Sequence, residues 1–296
     1  MKIEKARNLI CPIDGVEFKI AEKHLVCENG HNFDVARQGY VNLLPVQNKR
    51  SKAPGDSKEM VQARESFLNT GVYAPIANKL AELVDSYILG DRSVCLMDAG
   101  CGDGYYFDVM FNHLKDKVGQ GTLSFIGMDI SKPAIIAATK RNKLITWIVG
   151  TNRQPPISNS SVDIIICVFG FQSFEGFNEI LSQGGKIIMV EPGPEHLKEL
   201  REIIYTNVKT SEPSDLSYLQ EIGLSVIDEQ KMFFKSGELD NETINALLLM
   251  TPHFYRANKD GRETAIKLEH IELTVDVVVR TVEKSVTVDA SNGIKE

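Results

Sequence analysis

The stretch "LMDAGCGDGYY", Leu96 to Tyr106, constrains the fold of this chain more than any other. Glycines at 100, 102 and 104 follow a short apolar run and an aspartate, so a strand is expected to break there into a tight turn and then a helix. The surrounding pattern alternates in the same way. Strands are predicted near 93–97, 123–128, 145–149, 163–168 and 186–190, separated by helices near 104–116, 132–142, 173–182 and 195–208. That order describes a parallel α/β sheet. "LSVIDEQKMFF" and "HIELTVDVVVRTV" read as late strands with the helix "NETINALLLM" between them, so the sheet is expected to end in an antiparallel pair. Upstream, Asp56 with Glu59 reads as a capping box opening a helix that ends at Gly71, and a second helix is expected from Pro75 to Gly90.

In such folds ligands bind at the carboxyl edge of the sheet, where "DAGCGDG" falls. A dinucleotide fingerprint would place its third glycine at 105, which is Tyr105, and nothing matches G-x-x-x-x-G-K-[ST]. Asp98, just before the loop, would repel a phosphate. An acid there suits a cationic ligand without phosphate, and S-adenosylmethionine is one: it offers an ammonium, a sulfonium and a ribose diol. The D-x-G-x-G-x-G loop resembles the first motif of class I methyltransferases. Asp129 ends the second strand, where a carboxylate can accept both ribose hydroxyls, and Thr151 and Asn152 follow the third, where this fold addresses the adenine. The expected cofactor residues on this reading are Asp98, Gly100, Gly102, Gly104, Asp129, Thr151 and Asn152.

Charge is unevenly spread. Residues 1–52 hold nine Lys/Arg against six Asp/Glu, while the remainder holds 24 against 34. A polyanion would therefore be met near the front, and Arg37, Lys49, Arg50 and Lys52 are the candidates for contacting an RNA backbone. "VQNKRSKAPGD" has the composition of a linker. The expected organisation is a front module over 1–50, a helical linker region over 51–90, the α/β domain over 91–282 and a disordered tail over 283–296. Five scattered cysteines do not make a disulfide framework. With no apolar run of about 18 residues and no export signal, the chain is expected to be cytoplasmic, without a membrane partner.

The front module raises a metal question. Cys11, Cys27 and His31 have knuckle-like spacing, and "CPIDG" has the Cys-Pro-x-x-Gly shape with Asp14 where a second cysteine belongs. Three readings stand: zinc on Cys11, Asp14, Cys27 and His31, a weakened or empty site, or thiols that only pack. His24 is expected to be a surface histidine.

The segment "HNFDVARQGYVNLLPVQNKRSKAPGDSKEMVQARESFL" with "GVYAPI", "DAGCGDGYY" and "EPGPEHL" resembles the bacterial 23S rRNA guanine-N1 methyltransferase family of the RlmA type, a likeness that runs from about Cys11 to Arg256. The resemblance implies a class I (Rossmann-like) methyltransferase fold carrying an N-terminal zinc-binding module. The implied reaction is methyl transfer to N1 of a guanine in a hairpin loop of 23S rRNA, by an enzyme that forms a homodimer. By position it adds Tyr73, Tyr106, Phe107 and His196 to the cofactor contacts, and it makes Cys11, Asp14, Cys27 and His31 the zinc ligands.

This chemistry asks mainly for alignment, because the sulfonium is already activated. Guanine N1 must lose a proton, and the sequence does not choose an acceptor among Glu191, His196 and His253. Phe169 and Phe171 in "VFGFQSF" could stack on a flipped base or only fill the core, and Tyr255 with Arg256 could meet RNA or serve structure. The rival classes are a methyltransferase of a small molecule or protein and a non-catalytic RNA-binding protein. The first has no use for a basic knuckle, and the second has none for a ribose acid.

Overall fold

The computed structural model describes residues 1–20, 23–48, 51, 53–117, 119–206, 208, 212–251 and 257–286. The front of the chain supplies five short strands: β1 (Lys2–Glu4), β2 (Phe18–Ile20), β3 (His24–Cys27), β4 (Asn32–Asp34) and β5 (Tyr40–Asn42). Two helices follow, α1 (Lys58–Asn69) and α2 (Ala74–Tyr87). The alternating unit is β6 (Val94–Ala99), α3 (Tyr105–Leu114), β7 (Thr122–Asp129), α4 (Lys132–Arg141), β8 (Thr146–Val149), β9 (Val162–Val168), α5 (Phe174–Ile180), β10 (Leu181–Pro192) and α6 (Lys198–Ile204). It closes with β11 (Leu224–Asp240), α7 (Asn241–Met250), α8 (Lys259–Ile266) and β12 (His270–Lys284).

The large sheet runs β11-β12-β10-β9-β6-β7-β8-β5. From β5 to β10 every pairing is parallel, and β12 is antiparallel to both β10 and β11, so the expected antiparallel end is present. Strand order reverses between β6 and β9, which opens the crevice in which such sheets bind ligands. β9, "VDIIICV", is an almost unbroken apolar run because helices or loops cover it on both faces. Alternation sends Leu96, Phe125 and Ile164 into one core and Met97, Ile126 and Ile165 into the other. Among the described residues, no helix is long and apolar enough to cross a membrane.

The front segment is built into this sheet at both ends. β1 pairs with β7 and β5 pairs with β8, both in parallel, while β2-β3-β4 forms a small sheet of its own. Ala6, Leu9, Leu25, Val41 and Leu43 are buried in the core that also holds Met97 and Ile165. The first helix starts differently from expectation. Its cap is Ser57, whose hydroxyl accepts from the Met60 N–H. Asp56 instead accepts from Arg64, 2.7 Å away on α1. The predicted tail falls largely on 287–296, outside the described residues.

Candidate functional site

Three glycines of the β6–α3 loop take left-handed backbone angles, with φ of 90° at Gly100, 55° at Gly102 and 80° at Gly104. They serve different ends. A Cβ on Gly104 would lie 2.7 Å from the Trp147 ring and 3.1 Å from Ala138, so this glycine lets α3 pack on β8 and α4. A Cβ on Gly100 or Gly102 would meet its neighbours only at ordinary contact distance, 3.9 Å from Asn152 Nδ2 and 3.4 Å from Arg64 Cδ. Together with Asp129, Thr151 and Asn152 these two glycines line a cavity of about 520 Å³.

Asp129 is tied to the loop. Its Oδ2 accepts from the Gly102 N–H at 2.9 Å, and its Oδ1 accepts from the Ser131 N–H at 2.7 Å. Burial raises its pKa, while those two donors pull the other way. Asp98, near the end of β6, is 2 % exposed and lines neither this cavity nor its neighbour. Burial first, then the charges of Asp129 and Asp103, push its carboxyl up to about 8. The third acid, Asp103, is ion-paired with Arg141. Asn152 spends its amide on the backbone, donating to Phe171 O at 2.7 Å and Ala99 O at 3.3 Å.

The linker closes over this cavity. Pro54, Gly55 and Asp56 line it, and the Ser131 hydroxyl donates to Asp56 O at 2.7 Å. A Cβ on Gly55 would lie 2.7 Å from Ser131 Cβ, so the approach needs glycine. Arg64 stands beside Gly102 and lines this cavity and a second one of about 690 Å³. Sequence reasoning missed both Arg64 and the part played by Asp56. A basic residue eight positions after the acid was the available signal.

Tyr73 and His196 line the second cavity, with the Tyr73 hydroxyl 3.2 Å from His196 Nε2. Phe169 sits against both rings, at centroid distances of 6.0 and 5.7 Å. Phe169 and Leu197 are both non-glycine residues with positive φ, 52° and 54°, and both line this cavity. Strain of this kind persists where the surroundings impose it, and it concentrates at ligand sites. Phe171 is 57 % exposed with the Arg153 guanidinium 4.9 Å from its ring centre. Neither ring is pure core filling.

Two residues brought in by resemblance lie elsewhere. Tyr106 is buried on the first turn of α3 beside Tyr105, and Phe107 is fully buried with its ring edge-on to Phe125 and Trp147. Neither lines either cavity. Truncating Phe107 to alanine is expected to cost about 3–5 kcal/mol of folding stability in chemical denaturation, leaving cofactor affinity of the folded protein unchanged. A side-chain contact to the cofactor would instead show as lost affinity.

The front module gathers Cys11, Asp14, Cys27 and His31, whose ligand atoms all lie within 4.8 Å of one another. His31 Nδ1 is 3.5 Å from Cys11 Sγ, 3.3 Å from Cys27 Sγ and 3.0 Å from Asp14 Oδ2, and Cys27 Sγ is 3.4 Å from that oxygen. A tetrahedral zinc bound at roughly 2.0–2.3 Å spaces its ligands about 3.3–3.8 Å apart. Three of the four separations fall in that range and the His31–Asp14 one is shorter, so two thiols, an imidazole and a carboxylate make a donor set suited to zinc. The Asn29 amide and the Val16 N–H hold the Asp14 carboxylate from outside the cluster. His24 is half-buried on β3 and takes no part.

Of the candidate RNA contacts, Arg37 is exposed on the turn between β4 and β5. Lys49, Arg50 and Lys52 lie outside the described residues, as do His253, Tyr255 and Arg256.

The zinc-ribbon model of the RlmA N-terminal region matches residues 9–52, and a methyltransferase-domain model matches 96–185. A Micromonospora griseorubida protein provisionally named a 23S rRNA (guanine-N(1)-)-methyltransferase is 30% identical over 210 residues, covering 65% of this chain and 68% of the relative. The chain belongs to the 23S rRNA (guanine-N1)-methyltransferase family. Its likeness to other members is longer and weaker. YxjB of Bacillus subtilis (strain 168), with the same provisional name, is 28% identical over 90% of this chain and 94% of its own length. The 23S rRNA (guanine(748)-N(1))-methyltransferase of Streptomyces fradiae is 27% identical over 91% of this chain and 83% of its own. The family's zinc-ribbon region thus carries the Cys11, Asp14, Cys27 and His31 group, and its methyltransferase domain carries the glycine loop.

Proposed function

We propose that this protein transfers a methyl group from S-adenosylmethionine to N1 of a guanine in a hairpin loop of 23S rRNA. The observation that carries the reading is the pair of adjoining cavities, one on the glycine loop and one lined by aromatic rings, which share Arg64, Phe169, Gly170 and Phe171. The donor set of the first fits the cofactor: Asp129 for the ribose diol and the backbone at Gly100 and Gly102, with the buried Asp98 acting on positive charge from behind the lining, through its coupling to Asp129. Thr151 and Asn152 border the adenine end, and Tyr73 and His196 the methionine end. When bound, S-adenosylmethionine supplies an activated methyl on a sulfonium. Phe169 and Phe171 receive the flipped guanine by stacking, and the linker excludes water from the loop. Arg37, Lys49, Arg50 and Lys52 hold the RNA backbone, zinc keeps the front module folded, and two copies form a dimer that works in the cytoplasm.

Asp98 gives this reading a pH signature. Its raised pKa means that the free protein carries a proton there between about pH 4 and 8, and a cation bound beside it favours the ionised form. Binding should therefore release close to one proton at pH 6.5 and none at pH 9, and affinity should rise with pH across that window. The same group makes the unliganded fold lose stability as pH rises from about 4 to about 8, where the loss levels off. Calorimetry in buffers of different ionisation enthalpy measures the proton count. Zero release at both values contradicts the role.

Primer extension on ribosomal RNA from a deletion strain and a complemented one tests the reaction, because N1 methylation blocks base pairing. One stop should vanish on deletion and return on complementation. An RNA-binding assay tests the front module: affinity should fall steeply with salt, and removing charge at Lys49, Arg50 and Lys52 should flatten the slope without altering cofactor affinity. A small-molecule methyltransferase would show neither.

A further inference from the structure

We propose that Glu191 is the catalytic acceptor of the guanine N1 proton. This rests on the reading of the site as a guanine-N1 methyltransferase centre. Glu191 stands near the carboxyl end of β10, 7 % exposed, and among the described residues lining the second cavity it is the one carboxylate. A carboxylate there matches the target chemically. The Watson–Crick edge of guanine offers N1–H and N2–H donors, whereas adenine and cytosine present an acceptor at the corresponding ring nitrogen and would be repelled.

The surroundings aim the group. Oε1 accepts from the Ser214 hydroxyl at 2.6 Å and from the Ser214 N–H at 3.3 Å, and Oε2 accepts from Arg280 Nη1 at 3.2 Å. A carboxylate has about four acceptor positions, so three held contacts leave one on Oε2 for the substrate. Arg280 is itself fixed by Glu229 Oε2 at 2.8 Å and Ser214 O at 2.7 Å, so the guanidinium cannot swing away. The other candidates are less suited. His196 and Tyr73 face each other, and His253 lies outside the described residues. The ionisable groups around Glu191 are Arg280 on β12, Glu229 on β11 through Arg280, Cys167 on β9, and His196 with Tyr73 across the cavity.

The step balances. The N1–H bond breaks and its proton passes to Glu191 Oε2. The electron pair left on N1 forms the new bond to the methyl carbon. The carbon–sulfur bond breaks with its pair staying on sulfur, so a sulfonium and a carboxylate become a neutral thioether and a carboxylic acid. Water takes the proton after product leaves.

The test is single-turnover methylation of a 23S rRNA hairpin by the full-length protein across pH, with cofactor affinity measured alongside. Glu191→Gln should slow transfer by about 100-fold or more at neutral pH, as expected for a lost general base, and its rate should climb about tenfold per pH unit until guanine N1 ionises unaided. Wild type should lack that climb. Glu191→Asp keeps the charge beside Arg280, which guards against misfolding, and should show an intermediate loss. A wild-type rate in either variant overturns the proposal. So does a slow Glu191→Gln that high pH does not restore, because that pattern belongs to a structural residue. A wild-type protein that binds S-adenosylmethionine and leaves the RNA unmethylated overturns the functional reading, and this inference with it.

Discussion

Valine at position 102 should weaken S-adenosylmethionine binding about a hundredfold or more, given that a β-branched residue forced to positive φ costs about 1–3 kcal/mol before any contact is lost. Gly102 has φ of 55°, and a Cβ there would lie 3.4 Å from Arg64 Cδ. The larger damage is indirect. The Gly102 N–H holds Asp129 Oδ2, so a loop that relaxes to accommodate valine also releases the carboxylate meant for the ribose. Calorimetry on the folded variant reads the effect. Unchanged affinity, or a wild-type protein that binds NAD more tightly than S-adenosylmethionine, would contradict the assignment.

Stripping the metal should loosen the front module and abolish RNA methylation while leaving cofactor binding nearly intact. The sheet β2-β3-β4 has strands of three or four residues and little core of its own, so a metal is the expected staple. Hydrogen exchange should show the loss within residues 9–34. β1 and β5 should stay protected, because each is paired to the large sheet. An oxygen ligand in place of a thiolate should make the site yield to chelators early, and Asp14→Cys should tighten it. A metal-free protein with its front segment protected and its RNA activity intact would show that zinc has no part here.

The parallel sheet was legible because its strands are buried on both faces and announce themselves as apolar runs. β9 is the plainest case, and the span of α7 matches the predicted "NETINALLLM". The five front strands were not legible. At three or four residues they have no periodicity to read, and β1 and β5 owe their existence to partners 120 and 107 residues away, as in Lys2 with Thr122 and Tyr40 with Trp147. In the site, residues adjacent in sequence were readable: Gly100, Gly102, Asp129, Thr151 and Asn152 were named from motif positions and share one cavity. Residues that act through distant partners were not. Asp56 read as a helix cap because Glu59 follows it, yet Ser57 caps the helix and Asp56 pairs with Arg64. Glu191 was a bare candidate until the fold brought Ser214 and Arg280 to it, 23 and 89 positions away. Tyr106 and Phe107, assigned through the resemblance alone, line neither cavity, so their part in cofactor binding rests on that resemblance.

The most direct test of the central claim is to incubate purified protein with S-adenosylmethionine carrying an isotopic label on its methyl group and with 23S rRNA that lacks the modification, then digest the RNA to nucleosides for mass spectrometry. Label is expected in 1-methylguanosine alone, close to one methyl per RNA molecule. Label in another nucleoside, or RNA left unlabelled by a protein that binds the cofactor, would contradict the claim.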